Sequence, residues 1–192
     1  MLKVLVVDDS PDRPSALEAA LSGMEGVAVA RAVPAPLELL AEVARHAPDI
    51  VLIETDSPSR DVLEQLAAVS STAPRPVVMF TDDDKDDAIR AAVRAGVSAY
   101  IVDGVPPGRL DSIMRVAMER FEQEQELRAE LQDARARLAE RKLVERAKGI
   151  LMKHRGLDED AAYTALRSLS MERGIRIGAA AQQVIDVAAL LG

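Results

Sequence analysis

Five times in its first 118 residues or so the chain repeats one pattern: a short β-branched and aliphatic run, an abrupt polar turn, then a stretch of helical periodicity. The runs fall at 3–7, 27–31, 49–53, 76–81 and 99–102, and the helical stretches at about 14–22, 37–46, 60–70, 86–95 and from about 107 onward. A run that is apolar on both alternating faces reads as a strand buried in a parallel sheet, because crossover helices cover both sides. Strands alternating with helices then imply α/β architecture. The expected fold is a doubly wound five-stranded parallel sheet, with its functional groups at the carboxyl ends of the strands.

From Ile113 to Leu143 the chain has neither proline nor glycine and is dominated by Ala, Leu, Glu, Gln and Arg. These are strong helix formers, so one long helix should join the two halves of the chain. Leu127, Leu131, Ala134 and Leu138 follow the 4-3-4 spacing of a coiled-coil seam, although its backward extension meets Glu124 and Arg120. This favours a homodimer; a helix packed on its own domain is the alternative.

The charge divides along the chain. Residues 1–115 carry 11 Lys+Arg against 19 Asp+Glu, 116–140 carry 4 against 7, and 141–192 carry 9 against 6. Only the last segment suits phosphates. Its basic residues are concentrated in 141–155, where Leu143, Val144, Ala147, Ile150, Leu151 and His154 share one helical arc, the expected buried face. Lys142, Arg146, Gly149 and Lys153 form the opposite row, flanked by Arg141 and Lys148. A mid-helix glycine costs about 1 kcal/mol relative to alanine, so its place in that row points to an anionic partner whose backbone comes close. A solvated face with an incidental glycine is the plainer reading.

Gly156 then supplies a helix stop and Asp158 a start, with Ala161, Ala162, Ala165, Leu166 and Leu169 on one buried face and Gly174 closing the helix. Tyr163, Arg167 and Ser170 lie along its flank. An aromatic ring beside a guanidinium can stack unpaired bases and contact phosphates, or Tyr163 can simply fill the core. A last helix near 178–191 offers Ala180, Val184, Val187, Ala188 and Leu191 to the bundle.

Ala147-Lys-Gly-Ile-Leu-Met152, then Gly156-Leu157, the acidic Asp158-Glu-Asp160, and Ala161, Ala162, Tyr163 and Leu166 closely resemble the signature of ANTAR domains. The resemblance implies a three-helix RNA-binding module of a bacterial antitermination regulator.

The first 118 residues resemble a response-regulator receiver, a flavodoxin-like fold. The likeness lies in Asp8-Asp9 after the first strand, Pro48-Asp-Ile-Val-Leu-Ile53 in the third, Thr81 ending the fourth and Gly96-Val-Ser-Ala-Tyr-Ile-Val102 in the fifth. It breaks at two chemically decisive positions. The phospho-accepting aspartate is Glu54 and the expected lysine is Asp103. The resemblance thus implies a degenerate acceptor site of Asp8, Asp9, Glu54, Thr81 and Asp103. A missing cation there removes a charge-assisted bond worth roughly 1.5–3 kcal/mol, and a longer carboxylate misplaces the nucleophile. Asp56, two residues after Glu54, is a weak substitute if the strand continues to it. No cofactor is required. Mg²⁺ held by Asp8 and Asp9, with Glu54 and Asp103 nearby, is one reading of the acidic cluster, and a relic site is the other. The block 81–87 caps the fourth helix through its dipole.

The domains expected are an atypical receiver at 1–118, a helical connector at 119–134 and a three-helix ANTAR domain at 135–192. The turn Asp56-Ser-Pro-Ser-Arg-Asp61, with Phe80-Thr-Asp82 and Tyr100-Ile-Val-Asp103, resembles nitrate and nitrite assimilation regulators of the NasT/AmiR type. That likeness implies control by a nitrate-binding sensor protein and binding of paired hairpins in leader RNA. A phosphorelay regulator binding duplex DNA and a dimerising scaffold are the competing readings. The first needs the receiver chemistry that Glu54 and Asp103 remove, and the second leaves the basic row unexplained. With no cysteine, two histidines (His46, His154) and no apolar run of membrane-spanning length, the sequence excludes disulfides and Cys/His metal sites. The expectation is a non-enzymatic cytoplasmic protein.

Overall fold

The computed structural model describes residues 1–8, 16–32, 38–104 and 108–191. The chain divides into two compact units, residues 1–125 and 126–192.

The strands are β1 (Leu2–Asp8), β2 (Val27–Ala32), β3 (Ile50–Thr55), β4 (Val77–Thr81) and β5 (Ala99–Val102). They form one parallel sheet in the order β2-β1-β3-β4-β5. The winding direction reverses between β1 and β3, the switch point where sheets of this kind gather functional groups. Because strand side chains alternate, each apolar run feeds two cores. Val4, Val6, Ile50, Leu52, Val78 and Phe80 meet α1 (Ala16–Ser22) and the start of α5 (Leu110–Arg155) through Leu17, Leu21, Leu110 and Met114. Leu5, Val7, Val51, Ile53 and Met79 face the other way, toward α2 (Leu39–His46), α3 (Arg60–Thr72) and α4 (Asp86–Arg94). Burial on both faces explains why the runs are continuous rather than alternating.

The expected long helix forms: α5 is unbroken over 46 residues and includes the basic stretch. Gly156, at φ +67, ends it and donates to the Met152 carbonyl at 3.0 Å. α6 (Glu159–Arg173) starts where the Asp158 carboxylate accepts from Ala161 N–H and stops at left-handed Gly174. α7 (Ile177–Leu191) is capped from α5, with the Glu140 carboxylate accepting from Gly178 N–H at 3.2 Å. Val144, Ala147 and Leu151 of α5 pack with Ala162 and Leu166 of α6 and Ala181 and Ile185 of α7.

Two burial expectations fail in this second unit. His154 is exposed, because it lies past Leu151, the last α5 residue in the core. Val187 is 55% exposed, whereas Ala181 and Ile185 fill the core. α7 is apolar almost all round, so hydrophobic pattern alone does not select its buried face. The side chain of Leu191 lies outside the described residues, as do residues 14 and 15, 37, and 107, where three helix starts were expected. Among the described residues no helix is long and apolar enough to cross a membrane.

Candidate nucleic-acid interface

On α5 the row Lys142, Arg146, Gly149 and Lys153 lies opposite the core residues Val144, Ala147 and Leu151, and all four are exposed. Among the described residues the three cations of this row enter no ion pair. A Cβ added at Gly149 would meet nothing within 4 Å. Neither backbone conformation nor internal crowding therefore requires glycine here, and the roughly 1 kcal/mol it costs has no cause inside the chain. A surface that must admit another backbone closely supplies one.

Tyr163 of α6 is 46% exposed, which removes the reading that it fills the core. Arg167, one turn on, is also exposed. Ser170 is committed elsewhere, donating to the Ile175 carbonyl at 2.6 Å and closing the turn after α6.

Lys148 departs from its expected place among the phosphate-facing cations. It is 8% exposed, and its ammonium donates to Glu145 at 2.9 Å and to Glu159 at 2.7 Å. The helical wheel put it on the flank of the basic row, but α6 docks along that flank and brings Glu159 against it. Two carboxylates already neutralise this lysine. The Glu145 partner was legible as an i,i+3 pair, whereas Glu159 depends on how α6 crosses α5. The bridge fastens the first turn of α6 to Lys148, the residue before Gly149 in sequence, and Tyr163 stands one turn further along α6.

Hydrogen bonding from Glu159, then from Glu145, holds the Lys148 ammonium above the usual lysine range, against the desolvation that opposes it. The Glu159 carboxyl is held below its usual range, first by the Lys148 hydrogen bond and then by Coulombic attraction. The linked stability is present above the ordinary glutamate pKa and disappears as pH falls through the depressed Glu159 value. On the alkaline side it is present below the ordinary lysine pKa and disappears as pH rises through the raised one.

The strand ends of the first unit hold the second group of expected residues. Register places Asp8 beside Glu54 and Thr55 beside Thr81. Asp8 is buried at 3% exposure, and Glu54 accepts a long 3.4 Å hydrogen bond from Leu17 N–H in α1. Asp9 lies outside the described residues. The Thr81 hydroxyl donates to the Asp56 carbonyl at 2.9 Å and accepts from Asp83 N–H at 3.2 Å. Asp83 also accepts from the Ser57 hydroxyl at 2.7 Å and from Lys85 N–H at 3.1 Å, contacts that hold its carboxyl below the usual range, Ser57 first. Tyr100 donates to the Asp83 carbonyl at 2.7 Å, and burial pushes its phenol up. This network ties the loops after β3 and β4 to β5. Asp83 was expected only as part of a capping block; instead it is the knot of that network.

One strand-end expectation changes. β3 stops at Thr55, so the alternation that would bring Asp56 beside Glu54 does not reach it. Asp103 is exposed, at φ +65 in the left-handed region ahead of Gly104. Among the described residues no three metal-ligating side chains converge, and the Asp8–Asp9 pair expected to hold Mg²⁺ falls partly outside them.

The sheet order, the acidic strand ends and the helical output unit with its basic row define a response regulator. Residues 4–115 match the response regulator receiver domain family, and residues 132–185 match the ANTAR domain family. The chain is 31% identical over 141 residues to the transcriptional regulatory protein PdtaR of Mycobacterium tuberculosis, covering 73% of this chain and 69% of that protein. To the nitrate regulatory protein of Klebsiella oxytoca it is 34% identical over 83 residues, 43% of this chain and 21% of that one. A receiver domain from Methanospirillum hungatei superposes with a TM-score of 0.53 at 22% identity, covering 65% of this chain and 98% of the other. This chain belongs to the ANTAR-domain response regulators and is a transcriptional antitermination regulator.

If the Lys148 bridge holds α6 in place, Lys148→Ala lowers the melting temperature by a few degrees near pH 7, and the gap from wild type closes as pH falls through the Glu159 titration. Lys148→Met keeps the covered stem and isolates the charge. Thermal scans across pH check this, and a pH-independent gap for Lys148→Ala with none for Lys148→Met assigns the effect to stem packing alone.

Proposed function

We propose that this regulator binds paired small hairpins in nascent leader RNA so that a terminator cannot form, and that the transcripts belong to nitrate and nitrite assimilation genes. The observation that carries the reading is Gly149, exposed and uncrowded amid Lys142, Arg146 and Lys153. Those cations meet phosphates, the missing side chain lets the RNA backbone approach, and Tyr163 with Arg167 contacts unpaired loop bases. Lys148 is left out of the phosphate contacts, since its charge is already matched. The relative named as a nitrate regulatory protein supports the target genes.

Two hairpins call for two binding units, and a homodimer provides them. Leu127, Leu131 and Leu138 are 66%, 51% and 54% exposed, one apolar row with no cover in a single chain. The seam of a two-stranded coiled coil covers such a row.

The receiver acts as a docking surface for a nitrate-binding sensor protein rather than as a phosphoacceptor. Glu54 has no aspartate geometry, Asp103 supplies no cation, and the Thr81 hydroxyl is held at both ends by loop backbone. Acetyl phosphate with Mg²⁺ should leave the intact mass unchanged; a stoichiometric adduct on Glu54 or Asp56 would overturn this part.

An electrophoretic shift with a two-hairpin RNA and no phosphodonor should show binding, with duplex DNA left unbound. Lys142→Ala, Arg146→Ala and Lys153→Ala should each flatten the log–log salt dependence by roughly 0.7 to 0.9 per lost contact. Their stability should stay within about ±0.5 kcal/mol of wild type, as exposed substitutions do. Gly149→Glu should abolish binding. Unaltered affinity and slope in the three alanine variants means that the row is merely solvated, and preference for duplex DNA favours the phosphorelay reading.

Replacing Leu127 and Leu131 together by glutamate should halve the mass seen in sedimentation, because an unpaired charge in a seam is costly. A persistent dimer would locate the interface elsewhere.

A further inference from the structure

The second unit contains a cleft of about 260 Å³ built from the C-terminal turns of α5 and α6 and the second half of α7. Ile150, Leu169, Val184 and Val187 form apolar walls, and His154, Arg155 and Arg173 stand among the polar lining residues. None of the described residues lining it is a carboxylate. Its volume lies just under the range of roughly 300–1,000 Å³ that holds drug-sized ligands, so it suits a single ring system. We propose that this cleft receives one unpaired nucleobase extruded from an RNA hairpin loop. The assignment rests on the RNA-binding reading above and adds a second contact site to it.

Charge and shape together select that occupant. An apolar slot takes a flat base, while a rim with two guanidiniums and no acid takes the phosphates that follow it. The Arg173 guanidinium donates to the Gln183 amide oxygen at 2.7 Å, which fixes one arm across α6 and α7 and leaves its other N–H groups for a base edge or a phosphate. Tyr163 and His154 are the only residues of 126–192 with an aromatic ring. Tyr163 is exposed on α6, and His154 lines the cleft. RNA loops are read by splaying unstacked bases onto such rings and into such slots. On α5 the cleft adjoins the basic row through consecutive Lys153 and His154, so one strand could pass from phosphate contacts into the slot.

The test fills the slot without touching the basic row. Ala188→Phe projects a ring into the cleft, and Val187→Phe does so from a position already 55% exposed, so that one folded variant is retained if the other is perturbed. The probes are a two-hairpin RNA and the same stems annealed as blunt duplexes without loops. Filling the slot should weaken hairpin binding about tenfold, within the range for loss of one stacked base, while the salt slope and circular dichroism stay as in wild type. An abasic site at one loop position should cause the same loss in wild type and none further in the filled variant. If wild type binds the hairpins and a folded, filled variant binds them equally well, the cleft assignment falls and the RNA reading stands. If wild type binds neither probe, the RNA reading falls and takes the cleft with it.

Discussion

One continuous helix is the constraint on which both halves of this molecule depend. α5 supplies Leu110, Met114 and Ala117 to the receiver core, then Val144, Ala147 and Leu151 to the second core. Between them, residues 126–139 are all exposed. Tertiary packing usually provides most of a helix's stability, so this middle section relies on propensity and on i,i+4 pairs such as that of Arg137 with Asp133. Such pairs contribute only about 0.2–0.5 kcal/mol each, so burial of the exposed leucine row in the proposed dimer would add the packing that this section lacks within one chain.

The receiver fold does not depend on the side chains of Glu54 and Asp103. The sheet is held by two apolar layers that do not involve Glu54 or Asp103, so those positions are free to change while the architecture persists. What remains at the strand ends is a closed set of hydrogen bonds linking Asp56, Ser57, Thr81, Asp83 and Tyr100. A set of that kind favours one arrangement of the loops.

The sheet was readable in the sequence because parallel strands are buried on both faces and must be written as continuous Val, Ile and Leu runs; 99–102 coincides with β5 to the residue. Helix ends were readable where a cap carries the signal, as at Asp158 and Gly174. What failed was what a wheel drawn on one helix cannot contain. His154 satisfies the arc of α5 but lies past Leu151, the last α5 residue in the core, and lines an open cleft instead. Lys148 satisfies the basic flank but faces α6, and Val187 is no more apolar than the residues that fill the core. Each depends on where the second helix crosses the first, which is set by side chains distant in sequence. The cleft depends on all three helices and had no local signature.

Lys148 also changes how charge should be counted in a nucleic-acid-binding unit. The segment 141–192 carries 9 basic residues, which a sequence count treats as equivalent. In the structure one of them serves two carboxylates, and Arg173 is tied to Gln183 at the rim of a cleft. Counterions are released only by cations that meet phosphates, so the salt dependence of binding should follow the exposed α5 row rather than the net charge. The buried lysine acts by another route, by tying α6, the helix that carries Tyr163, to α5. A cation held inside the fold thus contributes geometry, and one left outside contributes screening-sensitive attraction. Lys148 and Gly149 are adjacent in sequence and divide these roles between them: the lysine fastens α6, and the glycine leaves open the space beside it.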